Sequence, residues 1–88
     1  MNPEHIAWSR KTFDSLNEGG VWGIPRSGLM FRRRGDTLVL FEAMPWSEGM
    51  PITGTQLIEQ QESDYRAVKR HFEAAGITVI REKKRHAP

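Results

Sequence analysis

Apolar positions near the start of the chain recur at the spacing of a helix. Ile6 and Phe13 lie close to one helical face, and Trp8 widens this apolar stripe. Asn2 precedes the stripe and can cap the helix. Gly19-Gly20 is expected to end it, because glycine readily adopts the left-handed conformation that follows a helix. The first predicted element is therefore an N-terminal amphipathic helix.

Three short segments rich in strand-forming residues follow. They cover residues 21–24, 29–34 and 37–44, and the last two flank Gly35-Asp36. A Gly-Asp pair between two such segments is typical of a two-residue hairpin loop. Three consecutive antiparallel strands are therefore predicted.

The register of this hairpin distributes its side chains over two faces. Because side chains alternate along a strand, one face is apolar, whereas the other mixes basic and apolar side chains. The mixed face is expected either to support the N-terminal helix or to bind a partner. The apolar face, which is the expected core face, carries Leu29, Phe31, Leu38 and Leu40, with Arg33 and Glu42 at its ends. The mixed face pairs Arg34 with Thr37, Arg32 with Val39, and Met30 with Phe41.

A second helix and a last strand complete the predicted elements. Thr53 and Gln56 fit a capping box, so a helix is expected to begin there. A polar interval predicts a break in this helix near Ser63. Gly76 is expected to end the helix, and residues 77–80 form a last strand. The apolar stripe of the helix comprises Leu57, Tyr65, Val68, Phe72 and Ala75.

The predicted order is therefore α-β-β-β-α-β, which indicates a small α+β domain with two helices. Its sheet consists of a three-stranded antiparallel meander and a C-terminal strand that needs backbone partners. The helix before that strand favours a right-handed parallel crossover. At 88 residues the chain is expected to form one domain over residues 1–80. Residues 81–88 are expected to be a basic flexible tail.

Composition narrows the classes of protein that fit. The chain has 38% hydrophobic and 27% charged residues, which is typical of a folded domain. It has no cysteine, which excludes disulfides, thiolate metal sites and a cysteine nucleophile. A reducing cytoplasm is favoured for so small a chain without disulfides, and a bacterial or phage source fits its size. No apolar run is long enough to cross a membrane.

Charge is distributed unevenly along the chain. Residues 1–34 carry a net charge of +3, residues 35–65 carry −6, and residues 66–88 carry +5. Two oppositely charged surface regions would explain this segregation, and so would helices that each have a solvated charged face. The sequence leaves both explanations open.

One catalytic alternative comes from the order of the elements. This order resembles the α-β-β-β-α-β core of metal-dependent nucleases of the PD-(D/E)XK type. The resemblance implies an acidic residue, here Asp36, and a Glu-x-Lys motif, here Glu42-Ala43-Met44. Gln61 and Tyr65 are similar to the Gln-x-x-x-Tyr spacing of some such nucleases. Because Met44 replaces the lysine, an active or degenerate nuclease is retained only as a second alternative, and no metal or cofactor is predicted.

The preferred interpretation is a non-catalytic accessory or regulatory module that binds a protein or nucleoprotein partner. Tryptophan and arginine are frequent at the centres of such interfaces, and Trp46 is expected to be exposed in a loop. Direct binding of nucleic acid through a basic face is the first alternative, because arginine and lysine side chains contact phosphates. The sequence does not specify the oligomeric state. The candidate binding residues are Arg32, Arg34, Phe41, Trp46, Lys69, Arg70, Arg81, Lys83, Lys84 and Arg85.

Overall fold

The computed structural model describes residues 2–44 and 54–82, and within them it shows two helices and a four-stranded mixed sheet. The strand order is β1-β2-β3-β4, with the first three strands antiparallel and β4 parallel to β3. The α+β class, the meander and the parallel crossover are confirmed. The elements are α1 (Pro3–Asp14), β1 (Val21–Ile24), β2 (Leu29–Arg34), β3 (Thr37–Ala43), α2 (Gly54–Ala74) and β4 (Thr78–Arg81).

Helix α1 begins as the sequence predicts and ends earlier. The Asn2 side chain accepts a hydrogen bond from the Glu4 backbone N–H at 2.8 Å, which confirms the cap. The helix ends at Asp14 and not at Gly19-Gly20. The guanidinium of Arg33 on β2 donates hydrogen bonds to the backbone carbonyls of Phe13 and Leu16 at this end of α1. These carbonyls therefore have partners although the helix ends here.

Helix α2 is continuous, so the predicted break near Ser63 is wrong. The polar residues that suggested the break have partners on the folded protein. Gln60 donates to the Asp64 carboxylate at 2.8 Å, and Arg26 from the β1–β2 turn contacts the same oxygen at 3.0 Å. Gln61 donates to two backbone carbonyls outside the helix. Hydrogen bonds in the folded protein therefore pair the polar side chains of this interval, although in the sequence the interval resembles the end of a helix. The proposed capping residue Thr53 lies outside the described residues.

The β2–β3 hairpin has the predicted loop and most of the predicted register. Met30 pairs with Glu42 and not with Phe41, so the third predicted pair is wrong. The reason is a β-bulge in β3. Phe31 pairs with Leu40 and the preceding residue, Met30, pairs with Glu42, so Phe41 is an extra residue between the two pairs. The confirmed pairs are Arg34 with Thr37 and Arg32 with Val39.

A single hydrophobic core lies between one face of the sheet and both helices. The hairpin's predicted core face contributes to it, as does the apolar stripe of α2. Both helices therefore pack on the same side of the sheet. Neither helix in the described part of the chain has the length and apolarity needed to span a membrane. The core cluster comprises Phe13, Leu29, Phe31, Leu38, Leu40, Tyr65, Val68, Phe72, Ile77 and Val79.

Candidate binding surfaces

The face of the sheet opposite the helices carries basic and apolar side chains together. Arg33 points towards α1 and places its guanidinium 4.3 Å from the centre of the Phe13 ring. Because side chains alternate along β2, Arg32 and Arg34 point to the opposite face. Neither helix covers that face, so the prediction that it supports α1 is wrong. We call it the open face, and its described residues include Val21, Met30, Arg32, Arg34, Val39, Phe41, Glu42 and Ile80.

One row of the open face crosses all four strands. Val21 pairs with Arg32, Arg32 with Val39, and Val39 with Ile80. Three strand spacings make this row about 14 Å long. Val39 is buried at its centre, whereas Val21 and Ile80 at its ends are each 45% exposed. The row therefore presents apolar surface on both sides of a central arginine.

The bulge in β3 supports this arginine. Phe41 and Glu42 both lie towards the open face, because Leu40 faces the core and Glu42 pairs with Met30. The Arg32 guanidinium lies 4.3 Å from the centre of the Phe41 ring. This distance is within the range of a cation–π contact, which holds the guanidinium over the sheet. Among the described residues, neither Arg32 nor Arg34 has an acidic partner.

Three other predicted basic residues, Lys69, Arg70 and Arg81, do not join this surface. Arg81 lies on the helix side of the sheet, where it pairs with Glu62 at 2.9 Å and lies over the Tyr65 ring. This hydrogen bond holds the pKa of Glu62 below its usual range. Lys69 on α2 pairs with Glu73, and the hydrogen bond between them raises the pKa of Lys69. Arg70 is exposed on α2, and Trp46, Lys83, Lys84 and Arg85 lie outside the described residues.

The residues of the nuclease alternative do not form a shared metal site. Asp36 lies in the hairpin loop and Glu42 near the other end of β3, which separates them by about 20 Å along the strand. Gln61 lies near Glu42 in a groove of about 310 Å³, but its amide donates to the carbonyls of Ser27 and Met44. Among the described residues, no group of three potential metal-ligating side chains comes together. The two carboxylates therefore do not fit one magnesium ion.

A second surface, on the helix side, was not predicted from the sequence. Trp8, which the sequence places on the apolar stripe of α1, is 50% exposed. Its ring contacts those of Trp22 and Phe72, with ring centres 5.9 and 5.8 Å apart. These residues line a cavity of about 230 Å³ that also contains Asp64 and His71. Burial lowers the pKa of His71, and the nearby His5 and Arg70 lower it further.

Comparisons of the chain with family models, with curated proteins and with solved structures gave no match.

Proposed function

We propose that this protein is a non-catalytic accessory or regulatory module that binds a protein or nucleoprotein partner through the open face. The observation that carries this proposal is the row of Val21, Arg32, Val39 and Ile80 across the sheet. Exposed apolar side chains around a positioned arginine are the composition of an interface centre. The absence of cysteine supports a cytoplasmic setting for this binding.

An acidic partner surface complements the open face best. Arg32 and Arg34 lack acidic partners among the described residues, and Phe41 orients Arg32. Carboxylates are good ligands for a guanidinium, which offers a planar set of donors. The apolar ends of the row add contact area that a phosphate backbone would not use. This combination favours a protein surface over bare nucleic acid.

Direct binding of nucleic acid is the alternative that Arg32, Arg34 and Phe41 support together. Unpaired bases stack on aromatic rings, and the two guanidinium groups would contact phosphates. Loss of two phosphate contacts would make the slope of log K against the logarithm of the salt concentration shallower by about 1.4 to 1.8. For a protein partner, added salt would act mainly on the association rate. Salt dependence therefore distinguishes the two kinds of partner.

The test is affinity capture of partners from lysate of the source cells, with and without nuclease treatment. The double variant R32E/R34E is compared with wild type and with K11E/R66E, a matched double charge reversal of exposed residues on the two helices. We expect a partner that survives nuclease treatment, is lost with R32E/R34E and is retained by K11E/R66E. Circular dichroism of each variant verifies that the domain is folded.

Two outcomes would change the proposal. A partner that disappears after nuclease treatment would favour direct binding of nucleic acid. Equal retention of the same partner by wild type and by folded R32E/R34E would show that the open face is an ordinary solvated surface, and it would refute the proposal.

A further inference from the structure

The cavity between α1, β1 and α2 has acidic and aromatic walls. Trp8 comes from α1, Trp22 from β1, and Asp64 and Phe72 from α2. The cavity lies on the helix side of the sheet, so its chemistry is separate from that of the open face. Its volume of about 230 Å³ is below the usual range for drug-sized ligands and is sufficient for one side chain.

The Asp64 carboxylate is buried and incompletely paired. Its side chain is only 9% exposed. One oxygen, Oδ1, accepts hydrogen bonds from Gln60 at 2.8 Å and from Arg26 at 3.0 Å. The other, Oδ2, is buried and accepts no hydrogen bond from the described residues. A buried carboxylate oxygen without a donor is costly, so a ligand that supplies a donor gains free energy once the carboxylate turns this oxygen towards the cavity.

The cation that now contacts Asp64 is poorly fixed. The Arg26 side chain is 72% exposed, and a single nitrogen, Nη2, contacts the carboxylate. A guanidinium is able to contact both oxygens of a carboxylate with two parallel hydrogen bonds. Because the Arg26 side chain is mostly exposed and makes a single contact, a second guanidinium with better geometry would displace it.

The aromatic walls suit a flat cation. The rings of Trp8 and Trp22 meet at 67° and line the same cavity as Asp64, and Trp8 is half exposed. Tryptophan offers the strongest cation–π contact of the aromatic side chains. A guanidinium stacks on such a ring and donates hydrogen bonds in its own plane, so stacking on a tryptophan and pairing with a carboxylate are compatible.

We infer that this cavity binds the guanidinium of an arginine side chain presented by a protein partner. Arg26 moves out to solvent, the Asp64 carboxylate turns towards the cavity, and the ligand donates to its oxygens and stacks on Trp8. This site extends beyond the proposed function, because it uses other residues and the opposite charge preference from the open face.

The test uses N-acetyl-L-arginine N-methylamide as the probe and the indole N–H signals of the three tryptophans as the NMR readout. We expect saturable shifts of the Trp8 and Trp22 signals. The citrulline analogue, which is neutral and has the same shape, should cause none. Asp64→Asn should weaken binding about 10-fold or more, because a charged hydrogen-bond acceptor is lost.

Arg26→Met distinguishes a binding role for Asp64 from a purely structural one. Removal of the competing guanidinium should strengthen probe binding about threefold or more, because no fraction of the site is then pre-occupied. Asp14→Asn is the matched control, because Asp14 is an exposed acid that also pairs with an arginine, and it should leave binding unchanged.

The absence of a saturable shift in both the wild type and the Arg26→Met variant would overturn the inference. Equal shifts with the arginine and citrulline probes would also overturn it, because the charge of the ligand would then not matter. If Asp64→Asn fails to fold, the citrulline comparison and the Arg26→Met titration still decide.

Discussion

Arg33 should contribute more to stability than either of its arginine neighbours. Its guanidinium donates to the carbonyl of Phe13 at 3.1 Å and to that of Leu16 at 2.8 Å, and it lies over the Phe13 ring. These contacts connect the end of α1 to the centre of the sheet. Arg34 is the next residue, is exposed and points to the open face. The substitutions Arg33→Met and Arg34→Met therefore form a matched pair.

The expected effects follow from the lost contacts. A hydrogen bond to a charged group contributes about 1.5–3 kcal/mol, and a cation at a helix C-terminus adds about 0.3–1 kcal/mol. Because Arg33 is half-buried and methionine keeps part of its packing, we expect Arg33→Met to cost about 2–4 kcal/mol. Arg34→Met should change the free energy of unfolding by no more than about 0.5 kcal/mol.

Urea unfolding followed by tryptophan fluorescence measures this difference. The total free energy of unfolding of a chain of this length is about 4–13 kcal/mol, so the Arg33→Met loss is large by comparison. We expect a lower urea midpoint with an unchanged slope, and a melting temperature lower by about 10–25 °C. Arg33→Lys should fall between the wild type and Arg33→Met, because an ammonium lacks the planar set of donors. Equal midpoints for Arg33→Met and Arg34→Met would refute the reasoning.

Two further predictions concern the hairpin loop and pH. Gly35 has a φ of +59°, and an added Cβ would meet no atom within 4 Å, so Gly35→Ala should cost about 1 kcal/mol of backbone strain in urea unfolding. Gly54→Ala adds the same methyl group in open space without a positive φ, and an equal loss there would contradict this explanation. In the folded protein the pKa of His71 is below its ordinary value of 6.5, so the unfolded chain binds a proton at this residue more readily than the folded chain does. The free energy of unfolding should therefore fall as the pH drops from 6.5 to the lower pKa of the folded protein. Urea midpoints measured between about pH 7 and pH 5 should depend less on pH for His71→Gln, and an unchanged dependence would exclude this role for His71.

The hairpin shows how far local patterning predicts a fold. The register near the loop is predicted correctly from the two-residue loop Gly35-Asp36 and from the alternation of side chains along both strands. A shift of one residue there would move every core side chain to the opposite face of the sheet. The register changes at Phe41, where a bulge lets this ring lie beside Arg32. Nothing in the spacing of apolar residues marks that bulge, since it depends on contacts across the sheet.

Helix α1 shows where local patterning is insufficient. Its apolar stripe places Ile6 and Trp8 beside Phe13, whereas the folded helix buries Ser9 with Phe13 and leaves Trp8 half exposed. The rotation of a short helix about its axis depends on the surfaces that receive it. Those surfaces are α2 and Arg33 of β2, which are distant in sequence.

The sequence by itself determined the type and order of the elements, the hairpin loop and the composition of the core, because these depend on periodicity and on local backbone preferences. The tertiary structure decided that both helices pack on the face that carries Arg33 and that neither helix covers the face that carries Arg32 and Arg34. It also brought Trp8, Trp22 and Asp64 to one cavity from three different elements. Both outcomes depend on how helices dock on a sheet, which no local pattern specifies.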